Sequence, residues 1–221
     1  KRMSQLIHEV LPGHPAAVLT GPNLAKEILV GDAAAAVIAT PDPVVAETLQ
    51  AVFATDRFRV YSNPDVIGCE LGGALKNVIA IASGMADGLG TGDNTRAAVI
   101  TRGLAELTAL GVAMGGQQVT FAGLAGMGDL IATCISPQSR NRHVGEQLGK
   151  GRTIEEIVDE MNMVAEGVKT STAVMELAEE YEVDVPITAQ VRAVCHEGLY
   201  ASEAYDGLMG RQSGVEHPAY E

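Results

Sequence analysis

The chain has 221 residues, 47% of them hydrophobic, so it is long enough to bury one large core or two small ones. Its formal net charge of −13 argues against a nucleic-acid partner, which would require a basic surface. No apolar run approaches the roughly 18 residues of a membrane-spanning helix, and the start lacks the pattern of a secretory signal, which together predict a cytoplasmic protein without a membrane span.

Residues 1–62 alternate short β-prone runs with helical patterns. The start KRMSQLIHEV predicts an amphipathic helix, and VVAETLQAVFAT predicts a second helix. Three runs predict strands: AAVLTG, AAVIAT and FRVYS. This alternation is typical of an α/β layer, so we interpret residues 1–62 as part of an α/β domain.

Residues 63–221 are helical almost throughout by their pattern. Helix starts are predicted at Asn94, at the capping box of Thr153 with Glu156, and at Pro186. The glycine-rich segments 88–93 and 123–129 predict turns that link helices. The fold class is therefore mainly α, with a helical domain at 63–221 that follows the α/β part.

One lysine stands in the middle of the apolar, glycine-dotted stretch LGGALKNVIAIASG, residues 71–84. On a helix, Gly72, Gly73 and Ala80 would lie one turn to either side of Lys76 and leave space around its amine. Two adjacent glycines cost a helix roughly 1 kcal/mol each, and the close approach of a ligand or of another helix would explain them. The alternative is a packed helix whose lysine reaches solvent, and this stretch alone favours neither.

A second group of polar residues lies in GLAGMGDLIATCISPQSRNRHVG, residues 123–145. Asp129 and Thr133 are four residues apart, so they share one face of a helix. The segment SRNR then places Arg140, Asn141 and Arg142 together in a strongly acidic chain. An arginine fork and an asparagine amide suit a phosphate, which predicts a local anion site. The alternative is a solvated charged face, which is usual for basic clusters and is less favoured here because of the glycine-rich approach and the adjacent Asp129.

These motifs carry a resemblance to a known family. The segments TGPNLAKEI, GGALKNVIAIASGMADGLGTGDNTRAAVITRGLAEL and FAGLAGMGDLIATC with SRNRHVG resemble the bacterial-type NAD(P)-dependent glycerol-3-phosphate dehydrogenases over nearly the whole chain. The resemblance implies a helical substrate domain of the 6-phosphogluconate dehydrogenase C-terminal type at 63–221. At 1–62 it implies the last part of a Rossmann domain.

The resemblance also implies roles for individual residues. Lys76 matches the general base that exchanges a proton with the substrate hydroxyl, and an amine in that role loses its proton more readily when it is desolvated. The residues that match substrate contacts are Gly21, Asn23, Lys76, Asp129, Thr133, Ser139, Arg140 and Asn141. The residues that match cofactor contacts are Ala25, Arg140, Val164 and Glu166. Asn23 replaces the serine or threonine that the family pattern leads us to expect.

The implied activity is the interconversion of sn-glycerol 3-phosphate and dihydroxyacetone phosphate with NAD or NADP, for phospholipid synthesis, in a homodimer. The G-x-G-x-x-[GA] fingerprint that holds the cofactor pyrophosphate is not found, so the sequence looks like the later two-thirds of such an enzyme. A β-hydroxyacid or 6-phosphogluconate-type dehydrogenase should lack the SRNR segment. The alternative from another class is a non-catalytic binding or oligomerisation module.

The remaining reactive side chains predict no further site. Cys69, Cys134 and Cys195 are far apart in sequence and form no CxxC pair, which predicts reduced, buried thiols. Cys195 and His196 are neighbours and would point about 100° apart on a helix, which suits neither a nucleophile nor its base. The histidines show no metal-ligand spacing, so no metal is expected.

Overall fold

The computed structural model describes residues 1–161, 165–212 and 214. The strands are β1 (Val18–Thr20), β2 (Ala34–Ala39) and β3 (Phe58–Asn63). The helices are α1 (Met3–Val10), α2 (Ala25–Leu29), α3 (Pro43–Phe53), α4 (Val66–Gly88), α5 (Asp93–Ala113), α6 (Gln118–Phe121), α7 (Asp129–Ile135), α8 (Arg140–Gly149), α9 (Ile154–Glu160), α10 (Glu166–Glu180), α11 (Pro186–His196) and α12 (Ala201–Met209). A π-helical turn, Leu124–Gly128, leads directly into α7.

The three predicted strands form one sheet in the order β1-β2-β3. Strand β2 pairs in parallel with β3, from Ala34 opposite Phe58 to Ala39 opposite Asn63, and antiparallel with β1. The central strand is buried from Ala36 onward, as expected of a strand covered on both faces. The predicted α/β alternation is confirmed, and the antiparallel β1 is a feature that the alternation did not reveal.

Helix α4 is the core of the helical region. It packs against α5, α7, α8, α10, α11 and the π-helical turn, and fourteen of its residues are buried. By length and composition alone α4 could cross a membrane, but most of it is covered by other parts of the protein, as in the central helix of a soluble core. Because α4 also carries Lys76, whatever positions this helix also positions that amine.

Helices α4 and α8 approach each other unusually closely. A Cβ at Gly84 would collide with the carbonyl oxygen of Arg142, and a Cβ at Gly145 would collide with that of Ile81. Glycine is therefore required on both helices where their backbones meet. This contact fixes the start of α8, with its SRNR segment, relative to α4.

Most predicted helix starts are confirmed. The capping box of Thr153 and Glu156 is present at α9, and Pro186 is the first residue of α11. Asn94 was predicted wrongly, because α5 begins at Asp93 after the N-cap residue Gly92, so Asn94 lies inside the first turn. Segment 88–93 is a turn between helices, whereas segment 123–129 is the π-helical turn running into α7.

Candidate functional site

An ion pair between Lys76 and Asp129 joins the two motifs that the sequence analysis singled out. Lys76 lies in the middle of α4, and Asp129 is the first residue of α7. The ammonium nitrogen of Lys76 contacts Oδ1 of Asp129, and the two side chains are 18% and 7% exposed. The pair is thus largely removed from bulk water. A charge that is buried in this way is costly unless an opposite charge lies beside it.

The backbone of the π-helical turn holds Asp129 beside Lys76. A Cβ at Gly72 would lie 2.5 Å from the carbonyl oxygen of Ala125, so this turn passes directly over α4 one helical turn before Lys76. A Cβ at Gly73 would lie 3.1 Å from the hydroxyl oxygen of Thr20. The space that these glycines provide is therefore filled by other segments of the protein.

Several donors surround the Asp129 carboxylate. The Thr133 hydroxyl donates to the Asp129 carbonyl oxygen at 2.6 Å and approaches its Oδ1 at 3.4 Å, and the backbone N–H of Gly21 donates to the carboxylate. Burial raises the pKa of Asp129, and the nearby Lys76 ammonium opposes that rise. The carboxylate is thus held in place by side-chain and backbone donors from three segments.

Gly21 brings the α/β part into this site. Its φ is +122°, a conformation that favours glycine, and a Cβ would lie 3.2 Å from Cα of Ala36. The chain can therefore turn directly after β1 and point the Gly21 amide at Asp129. Asn23 is half-buried in the following segment, and Ala25 is exposed at the start of α2. The two latter residues are close in sequence to Gly21, but no contact ties them to Lys76.

The SRNR segment divides into residues with different partners. Ser139 is the N-cap of α8, and its hydroxyl accepts from the backbone N–H of Arg142 at 3.2 Å. The Arg142 side chain turns toward Asp87, which it contacts at 3.0 Å through Nε, and toward Glu146. Asp87 also forms an ion pair with Arg96 of α5. Arg142 therefore joins α8 to α4, whereas Arg140 and Asn141 have other partners.

Asn141 connects three helices. Its Nδ2 donates to Oδ1 of Asn77 at 3.0 Å, and its Oδ1 accepts from the backbone N–H of Gly167 at 2.9 Å. Asn77 directly follows Lys76 on α4, and Gly167 lies in the first turn of α10. Neither partner was predicted from the sequence, although a polar residue beside Lys76 in an apolar stretch was an available signal.

Arg140 and Glu166 form a second ion pair at the outer edge of the site. Nη2 of Arg140 lies 2.9 Å from Oε1 of Glu166, and their side chains are 39% and 50% exposed. Each is the first residue of its helix, α8 and α10, so the N-termini of the two helices converge here. Both termini carry partial positive charge, which makes the convergence suitable for an anion. Val164, also predicted for the cofactor, lies outside the described residues.

The other predicted or visible features lie away from these residues. A cleft of about 650 Å³ between α10 and α11 is lined among others by Met175, Val183 and Arg192, and it touches none of the predicted site residues that the structure describes. Convergent polar groups mark the site better than this concavity does. All three cysteines are free and buried, and His196 lies 2.8 Å from the carbonyl oxygen of Val168. Among the described residues no group of three His, Cys, Asp or Glu side chains could hold a metal.

The sequence of the chain is similar to that of a known enzyme family. Residues 65–206 match the family model for the NAD-dependent glycerol-3-phosphate dehydrogenase C-terminus, and residues 1–46 match the model for its N-terminus. The chain is 59% identical over 219 residues to a Sphingopyxis alaskensis protein named glycerol-3-phosphate dehydrogenase (NAD(P)+) 2, covering 99% of this chain and 66% of that protein. It is 57% identical over 215 residues to a Mycobacterium avium protein named glycerol-3-phosphate dehydrogenase (NAD(P)+), covering 97% and 63%.

A solved structure has the same fold. The crystal structure of glycerol-3-phosphate dehydrogenase from Coxiella burnetii matches with a TM-score of 0.92 and 39% identity over 96% of this chain and 65% of that one. The chain spans 66% of the length of the Sphingopyxis alaskensis relative and 63% of the length of the Mycobacterium avium relative.

Proposed function

The chain belongs to the NAD-dependent glycerol-3-phosphate dehydrogenase family, and from that premise we propose that it carries the substrate site for interconverting sn-glycerol 3-phosphate and dihydroxyacetone phosphate. The observation that carries the proposal is the buried Lys76–Asp129 pair, whose lysine directly precedes Asn77, the residue of α4 that the N-termini of α8 and α10 contact. A proton-exchanging group and an anion site are the two elements that this substrate requires.

Lys76 is the proton-transfer group in this proposal. When the ketone is reduced, its oxygen gains a proton from the Lys76 ammonium, and in the reverse direction the neutral amine takes the hydroxyl proton. Asp129 stabilises the ammonium and fixes its position, because Thr133 and Gly21 hold the carboxylate in turn. The role of these four residues is therefore to place one proton at a defined oxygen.

The phosphate is proposed to bind at Arg140. A guanidinium provides several N–H donors in one plane, and the helix N-termini add backbone donors and positive potential. Asn141 is already bonded to Asn77 and Gly167, so its main contribution here is to hold the two helix ends together. Ser139 contributes by capping α8, and Asn23 remains a candidate for a contact to the substrate.

NAD or NADP supplies hydride donor or acceptor chemistry when it is bound. The described residues fit such a group, because Ala25 is small and exposed, and Glu166 and Arg140 offer partly exposed groups that suit its hydroxyls and phosphates. With Val164, these are the residues that we propose to contact the cofactor. We also propose that residues 1–62 are the end of the nucleotide-binding domain and residues 63–221 the substrate domain.

The same family relationship is the basis for proposing a cytoplasmic homodimer that supplies glycerol 3-phosphate for phospholipid synthesis. The alternative of a non-catalytic module gains no support from the comparisons.

The test is an assay of dihydroxyacetone phosphate reduction. The chain would be fused to the C-terminal end of the part of the Sphingopyxis alaskensis relative that it does not cover. Oxidation of NADH and of NADPH would then be followed, with the intact relative as positive control. We expect turnover that requires Lys76. A folded fusion protein that fails to turn over, or that works equally well as Lys76→Met, would contradict the proposal.

A further inference from the structure

We propose that Glu166 is an affinity-setting residue: its carboxylate is a tethered anion that competes with a phosphate for Arg140. This inference rests on the proposed function, because it concerns the same phosphate site. It starts from the fact that the guanidinium expected to receive the phosphate already has an anionic partner, at 2.9 Å. Among the described residues, Glu166 is the only ion-pair partner of Arg140.

The helix ends that carry the pair cannot move apart easily. Asn141 bonds both to Asn77 on α4 and to the Gly167 amide on α10. A Cβ at Gly167 would lie 2.6 Å from the carbonyl oxygen of Asn77, so the start of α10 is pressed against α4. A change at the Arg140–Glu166 pair is therefore a change of side-chain position on a fixed frame.

The pair itself is easily opened. It has one contact, and both side chains are more than a third exposed, so solvent screens it and its contribution to stability is small. A phosphate at Arg140 would meet the Glu166 carboxylate within a few ångströms, whether the phosphate displaces that carboxylate or binds beside it. In both arrangements the carboxylate's charge opposes the phosphate's charge.

The consequence is an anion site whose affinity is limited by a neighbouring carboxylate. Glu166 lowers the affinity for every phosphate-bearing ligand that uses Arg140, including inorganic phosphate. A weaker site releases a phosphorylated product faster, because affinity differences within one site lie mainly in the dissociation rate.

The experiment is a titration of the 221-residue chain with inorganic phosphate, followed by NMR at the backbone amides of Asn141 and Gly167. Glu166→Gln keeps the size of the side chain and removes its charge, and we expect it to bind phosphate about two- to fivefold more tightly. Glu166→Ala provides a second variant, and amide dispersion and thermal unfolding establish that each variant is folded.

Two controls make the result specific. Glu160→Gln removes the same charge from another exposed pair, with Arg152 at 2.7 Å, and should leave phosphate affinity unchanged. In an Arg140→Ala background, the gain from Glu166→Gln should disappear, because no guanidinium remains to compete for. A gain that also appears with Glu160→Gln, or that persists without Arg140, would overturn the inference.

The remaining outcomes separate the inference from the proposed function. If Arg140→Ala weakens phosphate binding but Glu166→Gln does not strengthen it, the phosphate site stands and the inference is wrong. If no folded variant binds phosphate, both are wrong. If phosphate binding is measurable only in Glu166→Gln, both are supported.

Discussion

The two ion pairs of the site, Lys76–Asp129 and Arg140–Glu166, differ in exposure and in what holds them. The inner pair is 18% and 7% exposed and is fixed by donors from α7 and the β1 end. The outer pair is 39% and 50% exposed and has a single contact. In our proposal the inner pair holds a proton at one place, and the charges of the more exposed outer pair can exchange partners.

The largest difference between the two pairs should appear in stability. Asp129→Asn leaves Lys76 without its anionic partner in a largely buried position, and we expect a loss of about 3 kcal/mol in the free energy of unfolding. Glu166→Gln breaks an exposed pair and should cost less than about 1 kcal/mol. Urea unfolding of both variants measures this, and similar losses would mean that burial does not distinguish the pairs.

The rate of catalysis should depend on the lysine of the inner pair. Lys76→Met removes the proposed proton-transfer group but keeps a long apolar side chain, so kcat should fall by roughly 10²-fold or more in the fusion protein. Substrate affinity should change much less. A near-normal kcat would remove Lys76 from the proposed role, and a loss confined to KM would assign it to binding instead.

The outer region should instead control which substrate is used. Arg140→Ala removes the proposed charge-assisted contact to the phosphate, worth roughly 1.5–3 kcal/mol, so kcat/KM for glycerol 3-phosphate should fall accordingly. The already poor use of unphosphorylated glycerol should hardly change. Equal losses for both substrates would indicate a defect in folding or cofactor binding rather than a lost phosphate contact.

Local patterns in the sequence were enough to predict most elements. The strands, the capping box of α9 and Pro186 at α11 follow from neighbouring residues, and the structure confirms them. The start of α5 was missed because Asn94 and Asp93 are both good residues for a helix start. The π-helical turn was missed because its shape is set by packing against α4 at Gly72, which no local pattern contains.

The site was harder to predict, because its partners are distant in sequence. Lys76 and Asp129 were both predicted, but from separate motifs, and their contact could not be read from either. Arg140 and Arg142 look alike in SRNR, and only the close packing of α8 on α4 directs Arg142 to Asp87. Asn77 was overlooked because its role depends on Asn141, which lies on another helix.

Glu106 is a further buried charge that the pattern of α5 did not reveal, and it offers a contrast to Asp129. It accepts hydrogen bonds from the backbone N–H groups of Ile187 and Thr188, at 2.6 and 3.2 Å, and from the Thr188 hydroxyl at 3.2 Å. No ion pair to Glu106 occurs among the described residues. Burial raises its pKa from 4.5 to about 7, and the three hydrogen bonds only partly oppose this rise.

The smallest predicted effect follows from that pKa. The pKa of Glu106 in the folded protein lies above the unfolded value of 4.5, so the folded protein binds the Glu106 proton more tightly than the unfolded chain does. The stability that this proton contributes is lost as pH rises toward about 7. From about pH 5.5 to about pH 6.5, the wild-type protein should lose about 1 kcal/mol relative to Glu106→Gln, which cannot ionise. Urea unfolding at both pH values measures the difference, with Glu179→Gln, an exposed glutamate, as control. Parallel pH dependences for the wild-type protein and Glu106→Gln would mean that Glu106 ionises with the same pKa in the folded and unfolded states, and that its three donors fully replace the water it has lost.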